Sequence, residues 1–272
     1  MIRVHPSALV DPGAHLGEGV EIGPFCTVGP DAVLEDGVRL ISHVVVDGHT
    51  RLGRECVVYP FAAIGLAPQD LKYKGEPTLC EIGPRTQIRE SCTVHRGTVT
   101  GSGVTRVGAS CLLMAVVHVA HDCEIGDGVV IANNVVMGGH VLIGQGAVIG
   151  GSAAIHQFVR IGRGAMVGGV SGVEADVIPF GRVLGNRARL AGLNMIGLKR
   201  RGVERAELHR LRAAVRFLFG SSAGVFAERL SEAKACWAED ALVREVLDFA
   251  EAPSRRGLIR ARLTVDGEDE AA

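Results

Sequence analysis

The chain has 272 residues, of which 47% are hydrophobic and 4% aromatic, and its formal net charge is -1. A chain of this length and apolar content can bury a core, which excludes a disordered protein. The near-zero charge excludes recruitment of nucleic acid by a strongly basic field, and we expect no nucleic-acid partner. No stretch is long and apolar enough to span a bilayer, and the N-terminus, MIRVHPSALVDPG, lacks the pattern of a signal peptide. We therefore expect a cytoplasmic protein without integral membrane association.

A six-residue repeat dominates the chain. Aliphatic side chains recur every six residues at 26 positions, in three runs: Val4 to Ile64, Ile82 to Val94 and Val107 to Val173. Four residues after each aliphatic position the side chain is small. A period of six fits neither an amphipathic helix nor one alternating strand. It fits three six-residue sides that close an 18-residue coil, so the sequence predicts a mainly β protein built as a parallel β-helix.

The repeat also sets the predicted domain boundaries. We predict the β-helix over residues 1–188, with inserted loops at 65–81 and 99–106 where the period breaks. Beyond residue 189 the apolar spacing turns helical in ERAELHRLRAAVRFLF and EDALVREVLDFAEA. These segments predict a small C-terminal α-helical domain over 189–262, and we expect the tail, 263–272, to be disordered.

Histidines gather on one side of the predicted coils. Counting three sides per coil places Ile64, Val94, Val119, Met137 and Ile155 on the same side of successive coils. Polar residues in or beside that side, and in the first inserted loop, define a candidate site: Gln69, Asp70, Lys72, His95, His118, His121, Asp122, Gly139, His140, His156 and Gln157. The spacing of 18 stacks His121 under Gly139 and Gly139 under Gln157. It also predicts a second column of Asp122, His140 and Phe158.

These residue types suit acyl transfer. A histidine such as His121 can act as general base near neutral pH, and the adjacent Asp122 can fix its tautomer. The backbone amide of Gly139 could stabilise an oxyanion. A hydroxyl acceptor that attacks a thioester directly needs no serine or cysteine nucleophile.

The sequence resembles the lipid A type UDP-N-acetylglucosamine acyltransferases, a family of hexapeptide-repeat transferases. The resemblance covers about 200 residues and rests on these segments: IGPFCTVGP, SHVVVDGHT, PQDLKYKGEPT, IRESCTVHRGT, HVAHDC, GGHV, HQF, MVGGVSGV and GLKRRG. It implies a left-handed coil and a homotrimer. It also implies transfer of an (R)-3-hydroxyacyl chain from acyl carrier protein to the 3-hydroxyl of UDP-N-acetylglucosamine, the first step of lipid A biosynthesis, without a cofactor.

The resemblance also implies roles for individual residues. His121 is the general base, Asp122 supports it, and the Gly139 amide forms the oxyanion hole. The nucleotide-sugar contacts are Gln69, Asp70, Lys72, His95, His118, His140, His156 and Gln157, some of them across the trimer interface. Asn194, Arg200 and Arg201 match positions in the cap that meet the uridine diphosphate. Met166, Gly169 and Arg187 match the acyl groove, where the absent side chain of Gly169 favours a chain of about fourteen carbons over ten.

Three other interpretations are less favoured. The pathway's second acyltransferase, which acylates an amine, carries an additional N-terminal uridine-binding domain, for which the repeats starting at Val4 leave no room. A β-helical carbonic anhydrase would bind zinc through three of His95, His118, His121 and His140. A non-catalytic binding module would have no use for the His121–Asp122 pair. We expect no metal site.

Overall fold

The computed structural model describes residues 1–220 and 225–261, which contain 28 short strands and four helices. The strands form three sheets, and successive strands along the coils belong to sheets 1, 2 and 3 in turn. Sheet 1 consists of β1 (Arg3–Val4), β4 (Glu21–Ile22), β7 (Arg39–Leu40), β10 (Val57–Val58), β13 (Gln87–Ile88), β16 (Leu112–Leu113), β19 (Val130–Ile131), β22 (Val148–Ile149), β25 (Met166–Val167), β27 (Gly181–Leu184) and β28 (Arg189–Leu193). Sheet 2 consists of β2 (Leu9–Val10), β5 (Thr27–Val28), β8 (Val45–Val46), β11 (Ala63–Leu66), β14 (Thr93–His95), β17 (His118–Val119), β20 (Val136–Met137), β23 (Ala154–Ile155) and β26 (Gly172–Val173). Sheet 3 consists of β3 (His15–Leu16), β6 (Val33–Leu34), β9 (His49–Leu52), β12 (Leu79–Ile82), β15 (Val104–Val107), β18 (Glu124–Ile125), β21 (Leu142–Ile143) and β24 (Arg160–Ile161).

Each coil pairs in parallel with the next, in the register that the six-residue repeat predicts. Where no loop intervenes the partners are 18 residues apart, as in Val4 with Ile22 and Met137 with Ile155. Ile64, Val94, Val119, Met137 and Ile155 all lie in sheet 2, as the count of three sides per coil predicts. The prediction of a mainly β, parallel β-helix followed by helices is therefore confirmed.

The repeated aliphatic side chains form the core. Ile64, Val119 and Ile149 have no exposed surface, and the small residues that follow at the fourth position, such as Cys123 and Ala153, are also buried. Burial of each Ile or Leu contributes roughly 1.5–3 kcal/mol, so the repeated pattern stabilises the coil along its whole length. Small residues are required at the other position because the triangular cross-section has no room for a second large side chain on each side.

Both inserted loops leave the coil at the same corner. The β-strands extend further into the breaks than the sequence predicts, because Leu79–Ile82 pairs over four residues with His49–Leu52 and with Val104–Val107. The first loop therefore covers 67–78 rather than 65–81, and the second covers 96–103 rather than 99–106. Each loop joins sheet 2 to sheet 3. We call this corner, with residues 67–78, 96–103, 120–123, 138–141 and 156–159, the loop edge.

The C-terminal part is helical, with one difference from the predicted boundary. Residues 189–193 form β28, which pairs antiparallel with β27, because Leu190 and Leu193 are buried on the end of the coil. The helices are α1 (Met195–Arg200), α2 (Arg205–Phe219), α3 (Phe226–Trp237) and α4 (Ala241–Glu251). The sequence predicts α2 and α4. It misses α3, whose buried residues are only Leu230 and Ala233.

After α4 the chain returns to the β-helix. The amide of Asp176 donates to the carbonyl of Gly257, and the amide of Ile259 donates to the carbonyl of Asp176, both at 2.8 Å. These bonds hold the segment before Gly257 beside the last coils. The predicted disordered tail, 263–272, lies outside the described residues. None of the helices in the described ranges is long and apolar enough to cross a membrane.

Candidate active site

The imidazole of His121 is hydrogen-bonded to the carboxylate of the next residue. Its Nδ1 lies 2.8 Å from Oδ2 of Asp122. Because an ionised carboxylate only accepts hydrogen bonds, Nδ1 carries the proton and Nε2 keeps its lone pair. The side chain of His121 is 12% exposed and borders a cavity of about 620 Å³ on the loop edge. His121 is therefore held in the tautomer that a general base requires.

The second inserted loop encloses the carboxylate of Asp122, which has no exposed surface. Thr98 donates twice, from its hydroxyl to Oδ2 at 2.7 Å and from its amide to Oδ1 at 3.1 Å. The hydroxyl of Ser102 and the amide of Gly103 each donate to Oδ1 at 3.2 Å. A Cβ at Gly101 would lie 2.4 Å from the carboxylate, so only glycine fits there. The loop thus fixes the position of the carboxylate that orients His121.

These hydrogen bonds also keep Asp122 ionised. Burial is the largest influence on its pKa and acts to raise it, but the hydrogen bonds from Thr98 and His121 outweigh burial. The pKa therefore lies below its ordinary value. The negative charge is available to stabilise the imidazolium that forms when His121 accepts a proton.

Gly139 lies against the imidazole of His121, one coil along the helix. A Cβ at Gly139 would come within 2.6 Å of Cε1 and 2.7 Å of Nε2 of His121. The carbonyl of Gly139 accepts from the amide of Phe158 at 3.1 Å, whereas its own amide donates to no acceptor within residues 1–220 and 225–261. The stacking that the 18-residue spacing predicts is present, and it leaves an N–H group beside the base.

The second predicted column is also present. The ring of His140 is stacked on that of Phe158, with centroids 4.7 Å apart, and its Nε2 is 3.9 Å from Oδ2 of Asp122. Above this pair, the guanidinium carbon of Arg255 lies 4.5 Å from the centroid of the Phe158 ring. Burial lowers the pKa of His140 against the opposing attraction of Asp122, and the charge of Arg255 acts in the same direction as burial. His140 is therefore a neutral donor or acceptor near pH 7.

The first inserted loop contributes two of its three predicted residues to the cavity. Asp70 and Lys72 line it, and the amide of Lys72 donates to Oδ1 of Asp70 at 3.0 Å. Gln69 is exposed and does not line it. Arg96, at the start of the second loop, holds the first loop in place, since its Nε donates to the hydroxyl of Tyr73 at 2.8 Å. Neither Arg96 nor Tyr73 is distinguished by the sequence pattern.

His95 and His118 lie on sheet 2 rather than in this cavity. Their rings meet edge to face at 4.9 Å, and Nδ1 of His118 is 2.7 Å from Oγ1 of Thr93. Burial, assisted by repulsion from His118 and His121, lowers the pKa of His95 to about 4. Burial also lowers the pKa of His118. Nδ1 of His95 is buried without a hydrogen-bond partner in the described part of the chain.

The two residues after β23 are placed differently from each other. Gln157 lines the cavity beside His140. His156 is exposed and outside the cavity, and its Nδ1 lies 3.0 Å from the carbonyl oxygen of Gln157.

The residues predicted to meet the uridine diphosphate lie at a different corner, where sheet 3 passes to sheet 1. Asn194 is buried at the N-cap of α1, where its side chain accepts from the amide of Gly197 and donates to the carbonyl of Gly164, both at 3.0 Å. Arg201 donates to the carbonyl of Gly146 at 2.8 Å. Arg200 is exposed at the end of α1. Within a single chain, these three residues therefore lie away from the cavity that His121 borders.

The predicted acyl-groove residues are also outside that cavity. Met166 is half-buried in sheet 1, and Gly169 is exposed at the corner where sheet 1 passes to sheet 2. Arg187, in the turn between β27 and β28, borders a separate cavity of about 350 Å³ with Arg189 and Arg256. Within one chain, these three residues do not form a single groove with His121.

The grouping of His121, Asp122 and His140 could in principle hold a metal ion, since one ligand atom from each lies within 4.8 Å of the others. Both oxygens of Asp122 already accept hydrogen bonds from Thr98, Ser102 and Gly103, and Nδ1 of His121 is directed at the carboxylate. The oxygens of Asp122 and Nδ1 of His121 are thus engaged with each other and with the second loop, so this grouping fits a hydrogen-bonded dyad better than a metal centre.

A repeated coil with this site defines the chain as a hexapeptide-repeat transferase. The model for bacterial transferase hexapeptide repeats matches residues 105–139, and that for domain 2 of UDP-N-acetylglucosamine O-acyltransferase matches residues 176–259. The acyl-[acyl-carrier-protein]--UDP-N-acetylglucosamine O-acyltransferase of Azorhizobium caulinodans is 51% identical to this chain over 94% of each chain. The enzyme of the same name from Caulobacter vibrioides is also 51% identical, over 94% of this chain and 97% of the relative. The chain belongs to this acyltransferase family.

Solved structures of the family share the fold. The UDP-N-acetylglucosamine O-acyltransferase of Moraxella catarrhalis is 41% identical, with a TM-score of 0.91 over 94% of this chain and 99% of that one. The enzyme of Francisella novicida is 33% identical, with a TM-score of 0.91 over 96% of this chain and 94% of that one. The β-helix is left-handed, as the resemblance implies. These relatives support neither the zinc enzyme nor the non-catalytic module.

Proposed function

We propose that this chain transfers an (R)-3-hydroxyacyl group from acyl carrier protein to the 3-hydroxyl of UDP-N-acetylglucosamine, the first step of lipid A biosynthesis. One observation carries the proposal: the His121–Asp122 dyad borders a cavity, with the free amide of Gly139 beside the imidazole. Base, orienting carboxylate and oxyanion donor are the groups that acyl transfer to a hydroxyl needs.

In the proposed mechanism His121 moves the proton. Nε2 removes it from the sugar 3-hydroxyl as that oxygen attacks the thioester carbon, and Asp122 stabilises the imidazolium. The amide of Gly139 donates to the oxyanion of the tetrahedral intermediate. Collapse of the intermediate re-forms the carbonyl and breaks the carbon–sulfur bond, and His121 returns the proton to the departing thiolate. Asp70, Lys72, His140 and Gln157 line the same cavity and hold the acceptor.

The remaining predicted contacts support a homotrimer. Asn194, Arg200 and Arg201, and likewise His95 and His118, lie outside the cavity within one chain. A neighbouring subunit that presents these surfaces to the loop edge would complete the nucleotide site and explain why the predicted residues occupy different faces. We therefore place Gln69 and His156 at the rim of a site shared between subunits. Sedimentation should give a particle of three chains, and a monomer would contradict this assembly.

The acyl donor would contact the basic cap and the surface around Gly169. The acidic acyl carrier protein would meet the basic side chains of the cap, such as Lys199 and Arg205, and would supply the acyl group without a resident cofactor. Met166, Gly169 and Arg187 would line the acyl chain on the neighbouring subunit. Turnover with carrier proteins loaded with ten- to sixteen-carbon chains should be fastest near fourteen, and a preference for ten would contradict the role of Gly169.

The variant His121→Ala tests the function. Loss of the base should lower kcat by roughly a hundredfold or more while UDP-N-acetylglucosamine still binds. His49→Ala is the matched control, since the half-exposed His49 lies 3.8 Å from Asp31 and is not part of the cavity. Near-normal turnover by His121→Ala would contradict the mechanism. Absence of acyl transfer by the unaltered protein would contradict the function itself.

A further inference from the structure

Arg255 enters the cavity from a distant part of the sequence. It follows α4, and the hydrogen bonds between Gly257, Ile259 and Asp176 fix the backbone just beyond it. Its side chain lines the cavity together with His121 and Gln157. Neither the repeat nor the resemblance assigns a function to this residue.

An aromatic stack holds the guanidinium in place. Arg255 lies over Phe158 at 4.5 Å, Phe158 is stacked on His140 at 4.7 Å, and Nε2 of His140 is 3.9 Å from the carboxylate of Asp122. A cation over a ring face gains about 0.5–1 kcal/mol at an exposed site. The position of Arg255 is thus coupled to the column beside the His121 dyad.

The donors of Arg255 are not used within the chain. No carboxylate lies within 4.0 Å of its guanidinium, and it donates no hydrogen bond, among residues 1–220 and 225–261. Another cavity arginine, Arg106, is by contrast paired with Glu81 at 2.8 Å. The ammonium group of Lys72 on the opposite loop likewise has no ion-pair partner in the described residues. The cavity therefore presents two unpaired cations around the dyad.

We propose that Arg255 binds a phosphoryl group of a substrate, and is a further binding residue of this site. A guanidinium presents a planar fork that matches two phosphoryl oxygens, and Lys72 can supply a second charge. This inference rests on the proposed function, in which both substrates carry phosphate. The acceptor has a diphosphate, and the carrier protein holds its thiol arm through a phosphodiester. The same chemistry would recognise either group, so the experiment must separate them.

Arg255→Ala should be measured in two ways. If Arg255 holds the acceptor diphosphate, the Kd for UDP-N-acetylglucosamine by calorimetry should rise about tenfold, as expected for loss of a charge-assisted hydrogen bond at a partly solvated site. If it holds the donor phosphodiester, that Kd should be unchanged. The ratio of kcat/KM for an acyl-phosphopantetheine to that for the matching acyl-pantetheine should instead fall about tenfold. In both cases kcat should stay within about threefold of the unaltered protein, because the dyad is intact.

Two further variants control for a merely structural effect. Arg255→Lys keeps the charge but loses the fork, so it should restore only part of the lost affinity. Arg256→Ala is the matched control, since the neighbouring Arg256 donates to the carbonyl of Glu174 and is not part of the cavity. The proposal is overturned if Arg255→Ala changes neither measurement, or if Arg256→Ala produces the same loss. Calorimetry with UDP and with pyrophosphate needs no turnover, so it tests Arg255 even if the unaltered protein fails to transfer an acyl group.

Discussion

Adding one methyl group at Gly139 should disable the base without removing it. In Gly139→Ala the new Cβ would lie 2.6 Å from Cε1 and 2.7 Å from Nε2 of His121. Ordinary van der Waals contact begins near 3.4 Å. The imidazole must therefore move by nearly 1 Å, away from the position in which Nδ1 is 2.8 Å from Asp122. Backbone strain is not the cause, since Gly139 is not among the residues with positive φ.

The size of the effect follows from that displacement. A misplacement of about 1 Å at a catalytic group costs on the order of a hundredfold in rate, or roughly 2.7 kcal/mol of transition-state stabilisation. The methyl group would also occupy space beside Nε2, where the acceptor hydroxyl approaches. We expect kcat/KM for acyl transfer to fall about a hundredfold, and the free energy of unfolding to fall by about 1–3 kcal/mol, as is typical of overpacking.

A matched control is Gly151→Ala. Gly151 precedes a corner residue with positive φ, Ser152, just as Gly139 precedes His140. Its Cβ would meet Asn133 at 3.3 Å and no imidazole, so its activity should stay close to that of the unaltered protein. If Gly139→Ala retains activity within about threefold of Gly151→Ala, the stacking of Gly139 on His121 is not essential to catalysis.

Two more predictions concern Thr98 and His95. Thr98→Val keeps the shape of the side chain but removes the 2.7 Å bond to Asp122, so the pKa of Asp122 should rise. Loss of a hydrogen bond to a charged group should lower the free energy of unfolding by about 1.5–3 kcal/mol in urea titrations, and kcat should fall as well. An unchanged urea midpoint would contradict the stabilising role of the hydrogen bond from Thr98 to Asp122. The pKa of His95 falls from an ordinary 6.5 to about 4 on folding, so the unfolded chain binds its proton first as the pH drops. Stability should therefore decline from pH 6.5 to about 4, by up to about 1.4 kcal/mol per pH unit from this group. His95→Gln should reduce that slope, and an identical slope in both proteins would refute the assignment.

Much of the site could be predicted because the coil converts sequence spacing into spatial position. An 18-residue separation places His121 against Gly139, and Asp122, His140 and Phe158 in the neighbouring column, whatever the surroundings. The roles of these residues came from chemistry and from the resemblance. The exact ends of the loops could not be read from the period, because the strands Leu79–Ile82 and Val104–Val107 extend beyond the repeated two-residue unit.

The contacts that hold the site together were not predictable from the spacing. Thr98 and Ser102 lie in a break of the repeat, where no period indicates the direction of a side chain, and only the folded loop shows that they donate to Asp122. Arg255 is brought to Phe158 by the return of the chain after α4, a tertiary contact between segments far apart in sequence.

The sequence by itself determined the repeated coil, its three sides and the columns of polar residues in or beside one side, since each follows from a local period repeated at 26 positions. Only the tertiary structure decided which of the predicted residues share a cavity. It separated Asn194, Arg200 and Arg201 from His121 because α1 packs at another corner of the triangle. It also brought Arg255 to the dyad, because non-local hydrogen bonds dock the C-terminal segment on the last coils.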